Sequence, residues 1–119
     1  MTRIYLSCAP FEPNTWVLEK PYARQTAVGL LEVPAGFRTD LASTPRTLWR
    51  LFPKHGPWFG AAVVHDWLYR THPAVISDRW TADCVFRQLL RADGVTRGTA
   101  WSMFKVVRAY GASAWSAAA

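Results

Sequence analysis

His65-Asp66-Trp67-Leu68-Tyr69 and Ala82-Asp83-Cys84-Val85-Phe86 carry a histidine and two carboxylates whose spacing can do chemistry. His65 and Tyr69 are four residues apart, so on a helix they share a face, and Asp66 is turned about 100° from His65. Pro73 stops a first helix near His72, about two turns beyond His65. A second helix starting at Ser77 puts Asp83 a similar distance inside it. Packed antiparallel across the short Pro73–Ile76 connection, the two helices bring His65 and Asp83 side by side. An imidazole held by a carboxylate is either a poised general base or a satisfied buried polar pair. In the first reading His65 takes a proton from water while Asp83 and the Tyr69 hydroxyl hold the ring. Asp66 then serves as a ligand for a hard cation such as calcium, which favours carboxylate and carbonyl oxygens. In the second reading the same groups clamp two helices together.

Asp40 is the third carboxylate of interest. Thr39-Asp40-Leu41-Ala42-Ser43 fits a turn whose side chains bond their own backbone. The sharper reading brings Asp40 to His65 as a second orienting group or a further metal ligand. Other chemistries find less support. His55, His65 and His72 are the only histidines, and no His-Glu-x-x-His spacing offers a zinc site. His72, just before Pro73, reads as a surface residue at a helix end. Ser43 has no Gly-x-Ser-x-Gly context. Cys84 adjoins Asp83, whose negative charge raises a thiol pKa rather than activating it. Cys84 therefore reads as a small core-facing residue.

These side chains need elements to position them. Residues 1–59 are proline-rich and irregular, with strand-like runs at Ile4–Leu6, Thr15–Glu19 and Ala27–Val33. Turns fall at Pro10, Pro13-Asn14, Pro21 and Pro34-Ala35-Gly36. A short helix from Pro45 to Phe52 is expected, capped by Ser43 or Thr44. Residues 60–117 read as helical. Phe59–Thr71 carries His65. Ser77–Ala92 carries Asp83 and ends at Gly94. A last helix capped by Thr96 has Ala100, Met103, Phe104, Val107, Gly111 and Ala114 at helical spacing. The expectation is a single α+β domain over 1–119: a small irregular antiparallel β region followed by three helices.

With 119 residues, half of them hydrophobic, the chain can bury one ordinary core. No apolar run is long enough to cross a membrane. The apolar stretch in Met1–Cys8 is too short for a secretory signal, so synthesis and residence in a bacterial host cytoplasm, or carriage in a virion, are expected. Cys8 and Cys84 are far apart and read as two free thiols. The net charge of +6 is spread along the chain, which suits anionic partners or a merely solvated basic surface. Of the seven tryptophans, Trp49, Trp58, Trp67, Trp80 and Trp101 read as core or semi-core. Trp101, Lys105, Arg108 and Trp115 form a basic-aromatic stripe. That stripe suits a membrane interface, docking on a larger assembly, or a solvated flank.

Two resemblances add to this. His65-Asp66-x-x-Tyr69 followed by Ala82-Asp83-x-x-Phe86 resembles the calcium-dependent phospholipases of the A-two class, especially the short version in parvovirus capsids. That resemblance covers residues 65–86. It implies His65 as general base, Asp66 as calcium ligand, and Tyr69 and Asp83 as supports. The glycine-rich calcium loop of that class has no counterpart here; Gly56-Pro57-Trp58-Phe59-Gly60 holds the nearest glycine pair. The second resemblance runs over residues 28–115. Val33-Pro34-Ala35-Gly36-Phe37-Arg38-Thr39-Asp40-Leu41-Ala42-Ser43-Thr44-Pro45, with the two helical motifs, is similar to a family of small phage and prophage proteins of unknown function. It implies a phage origin among tail or virion genes, with other virion proteins as partners.

The leading expectation is therefore a phage-encoded, virion- or tail-associated protein with a hydrolase-type centre at His65, Asp83, Tyr69 and Asp40. Its substrate would be an ester or amide of the bacterial envelope, in phospholipase-like or amidase-like chemistry. The first alternative is a structural or assembly protein in which His65 and Asp83 are a clamp. The second is a basic protein that binds nucleic acid or a host factor.

Overall fold

In a computed structural model, residues 3–8, 15–39 and 58–117 are described. Strands β1 (Leu6–Cys8), β2 (Trp16–Leu18) and β5 (Arg38–Thr39) form one antiparallel sheet in the order β1-β2-β5. Strands β3 (Tyr22–Thr26) and β4 (Gly29–Val33) form a separate hairpin, with Tyr22 opposite Val33 and Thr26 opposite Gly29. Its turn is closed by Gly29 at φ +110, a conformation that disfavours any side chain, and by the Thr26 hydroxyl donating to the Gly29 carbonyl at 2.7 Å. In β4, Leu31 and Val33 point into the core while Leu30 and Glu32 face out, the alternation of a half-buried strand. The Pro34–Gly36 turn expected from sequence then returns the chain to β2. There the Leu18 N–H donates to the Phe37 carbonyl and the Gly36 N–H to the Leu18 carbonyl.

Helix α1 spans Phe59–Thr71, α2 Arg79–Ala92, α3 Arg97–Tyr110 and α4 Ala112–Ala117. Helix α1 ends at His72 in a left-handed conformation, φ 44, just ahead of Pro73. Asp78 caps α2 by accepting from the Thr81 N–H at 2.8 Å, and Thr96 caps α3 through Thr99. Gly94 takes φ +94 in the link between them. Leu68 of α1, Leu89 and Leu90 of α2 and Met103 of α3 are fully buried with Leu18 and Val33. Arg24 of β3 donates to Asp93 at 2.8 Å, which ties the hairpin to the end of α2.

The α+β class expected from sequence is observed, in a single domain, with corrections among the described residues: β1 is Leu6–Cys8 rather than Ile4–Leu6, and β5 forms at Arg38–Thr39, where no strand was expected. The run Ala27–Val33 is a turn followed by β4, and its partner β3 begins directly after Pro21, where only a turn was expected. The second helix starts at Arg79, because Asp78 rather than Ser77 supplies the cap. The last helix divides at Gly111, so four helices stand where three were expected. Trp80 and Trp101 are not core residues: they are 54% and 45% exposed on the outer face of α2 and α3. Their rings are covered there by guanidinium groups, Arg108 over Trp80 and Arg87 over Trp101. The expected Pro45–Phe52 helix and Trp49 lie outside the described residues. No described helix is long and apolar enough to cross a membrane.

Candidate functional site

Asp83 is the centre of the site. Its side chain has no solvent exposure, so its charge must be answered by neighbours. Four groups do so. His65 Nε2 lies 2.7 Å from Oδ1, and the Tyr69 hydroxyl donates to the same oxygen at 2.6 Å. Arg108 of α3 donates to Oδ2 at 2.8 Å, and Arg79, one turn earlier on α2, lies 3.7 Å from it. Burial alone raises the Asp83 carboxyl, but the hydrogen bonds from His65, Tyr69 and Arg108 outweigh it and hold the group below its ordinary value. Burial, and then the bond to Asp83, push the Tyr69 phenol well above its ordinary value, so it stays a donor.

An ionised Asp83 fixes the histidine tautomer. A carboxylate only accepts, so Nε2 carries the proton, and in the neutral ring Nδ1 then holds the lone pair. The ring is gripped between Tyr69 (centroids 4.3 Å) and Phe86 (4.7 Å). Its side chain is 13% exposed. Among the described residues no group bonds Nδ1, and Nδ1 is not among their sealed, unpartnered atoms. His65 borders a cavity of about 180 Å³ whose walls include Tyr69, Val106, Val107, Tyr110, Gly111 and Ala114. His65 thus pairs one ring nitrogen with a buried carboxylate while the residue borders a small space that solvent reaches.

Helical geometry brings this about. His65 and Tyr69 share one face of α1, Asp83 lies on the inner face of α2, and the short Pro73–Ile76 connection, closed by the Ile76 N–H on the Pro73 carbonyl, brings α2 back beside α1. Arg79 also donates to the carbonyls of Val107 and Arg108, so α3 is locked to the same cluster. Gly111 is required by close approach. A Cβ there would come 2.5 Å from the Val107 carbonyl and 2.6 Å from the Tyr69 hydroxyl.

Asp66 sits apart from this centre, as its rotation predicts. Its Oδ2 accepts from the Thr39 hydroxyl of β5 at 2.7 Å, and Oδ1 lies 3.2 Å from Arg70 Nε. A guanidinium thus stands against the carboxylate that the phospholipase resemblance assigns to calcium. Among the described residues, no group of three or more His, Cys, Asp and Glu side chains comes together to hold a metal. Among the described residues, the Thr39 hydroxyl and the Arg70 guanidinium around Asp66 do not make a calcium site. Asp40 and His55 lie outside the described residues, although Thr39, next to Asp40, bonds Asp66 beside His65.

His72 is half-buried rather than a surface residue, its ring stacked on Trp115 at 3.7 Å. The basic-aromatic stripe does not form: Arg108 turns to Asp83, and Trp115 packs on Tyr69 and His72. The Cys84 thiol is pushed up first by burial and then by the Asp83 charge. Arg79 and Arg108 were not expected in the site. Arg79 carries a sequence signal, four residues before Asp83 on one helix face. Arg108 carries none, because it arrives from another helix.

Fold and site together define a small α+β protein with a histidine–aspartate pair set between two consecutive helices. The chain belongs to the DUF1353 family, proteins of unknown function, whose profile matches residues 16–107. That span contains His65, Asp66, Tyr69, Arg79 and Asp83, and ends one residue before Arg108. The chain is also similar to uncharacterized protein y4jT of Sinorhizobium fredii (strain NBRC 101917 / NGR234), 35% identical over 81 residues. The match covers 66% of this chain and 23% of that protein, so the chain spans under a quarter of the relative's length. No solved structure matches it significantly.

Proposed function

We propose that the chain is a phage-encoded, virion- or tail-associated hydrolase that uses His65 as general base against an ester or amide of the bacterial envelope. One observation carries the chemistry: His65 Nε2 lies 2.7 Å from the buried Asp83 carboxylate, and His65 also borders a cavity that solvent reaches. In this reading Nδ1 takes a proton from water as the water attacks the carbonyl carbon, and Asp83 stabilises the imidazolium that results. Asp83 and Tyr69 are positioning residues. The arrangement supports the phospholipase-like reading for the base and its supports, and not for Asp66 as a calcium ligand. The phage origin rests on the ordered match of the Val33–Pro45, His65–Tyr69 and Ala82–Phe86 motifs to small phage and prophage proteins.

The test is hydrolysis of activated esters and of envelope fractions by the purified chain, compared with His65→Ala and Asp83→Asn. Loss of turnover in both, with His65→Ala still folded by circular dichroism, supports the proposal. Wild-type protein with no hydrolysis above His65→Ala contradicts it.

A second reading has its own observation. The Asp83 carboxylate joins α1, α2 and α3 through His65, Tyr69, Arg79 and Arg108, which is also how a buried clamp in a non-catalytic virion protein is built. In that case His65→Ala lowers stability or assembly and there is no turnover to lose.

A further inference from the structure

The cavity beside His65 has a definite size and lining. Its volume is about 180 Å³. A cavity of about 150 Å³ holds benzene, so this one takes a group of about seven non-hydrogen atoms. Polar groups, His65 with Asp66 and Arg70, lie along the α1 wall. The Arg70 charge is answered by Asp66, and its guanidinium also donates to the Arg38 carbonyl. The facing wall is apolar: Val106 and Val107 of α3 and Ala114 of α4. Tyr110, more than half exposed, stands at the rim. A lining with one reactive polar side and one apolar side suits an ester carbonyl held at His65 with its hydrocarbon against the valines.

We propose that this cavity is a short-acyl pocket, in which Val106, Val107 and Ala114 limit the acyl group to about six carbons and exclude longer chains. The proposal rests on the hydrolase reading above and narrows it. Hydrolysis follows the usual balance: water adds to the carbonyl carbon, His65 takes its proton, the ester C–O bond breaks, and the alkoxide leaves with that proton as an alcohol beside the free short-chain acid. Among the described residues α4 bounds the space on one side: Ala114 lines it, and Trp115 of the same helix packs on Tyr69 and His72.

The experiment uses the full chain and a series of soluble p-nitrophenyl esters from acetyl to dodecanoyl, each below its micelle concentration. The wild-type kcat/KM is expected to fall by about tenfold or more between the hexanoyl and octanoyl esters. Ala114→Leu fills the pocket and moves the fall to shorter esters, lowering hexanoyl turnover more than acetyl turnover. Val106→Ala lengthens the pocket and moves the fall to longer ones, so the two variants shift the limit in opposite directions. Equal turnover of butanoyl and dodecanoyl esters by the wild type overturns the pocket while leaving the hydrolase reading standing. A chain-length limit that neither variant moves overturns the assignment of its walls. No turnover of any ester above His65→Ala overturns the hydrolase reading, and the pocket proposal with it.

Discussion

Arg108 and His65 hold opposite oxygens of one carboxylate: Arg108 lies 2.8 Å from Asp83 Oδ2, and His65 Nε2 lies 2.7 Å from Oδ1. The hydrogen bonds from His65, Tyr69 and Arg108 together keep the acid ionised, and the ionised acid sets the tautomer of the histidine. Three helices must be in place for that relation to exist, so the reactivity of one ring depends on the packing of the whole helical half.

Asp83→Asn tests that dependence. It leaves the shape of the side chain and removes the charge that Arg108, Arg79 and His65 answer. Breaking a buried pair by removing one partner costs about 3 kcal/mol. Urea unfolding is expected to show that loss as a lower midpoint with an unchanged slope.

The same carboxylate gives the protein an acid limb. Because the native Asp83 carboxyl lies below its ordinary value, its contribution to stability is complete above the ordinary carboxylate range. It is lost as pH falls through the lower native value. Asp78, held low by Thr81, adds to the same limb. Melting temperature measured down the acid range should therefore fall more steeply for the wild type than for Asp83→Asn.

Gly111→Ala probes the junction of α3 and α4. The added methyl meets a backbone carbonyl and the Tyr69 hydroxyl, and the carbonyl cannot swing away. Overpacking of this kind costs about 1–3 kcal/mol. The variant is expected to melt lower than the wild type, and Gly98→Ala, whose Cβ meets nothing within 4 Å, is the control.

Cys84 should be a slow thiol. Burial and the neighbouring Asp83 charge both raise it, so the thiolate is scarce at neutral pH. Iodoacetamide labelling followed by peptide mass analysis should show Cys84 modified more slowly than a free model cysteine at neutral pH, with the rate rising in alkali.

Much of this was legible in the chain because it is local. The end of α1 follows from Pro73, the cap of α3 from Thr96, and the meeting of His65 with Asp83 from two helices joined by the short His72–Asp78 link. Strand β3 was hidden because Arg24 and Gln25 look like loop residues, and its pairing with β4 is what makes it a strand. The division at Gly111 was hidden because apolar spacing continues across it to Ala114. Arg108 was read as a surface cation because nothing in its own helix points to a partner 25 residues earlier. The α1–α2 geometry could be written from spacing; the α3 contribution required the tertiary structure.

The tautomer of His65 is read directly by the ¹⁵N spectrum of its imidazole in the folded chain at mildly alkaline pH, assigned by its loss in His65→Ala. The expected spectrum is that of the Nε2–H tautomer, with Nδ1 unprotonated. A ring protonated at Nδ1, with Nε2 bare, would contradict it, because His65 could then neither donate to Asp83 nor offer Nδ1 as a base.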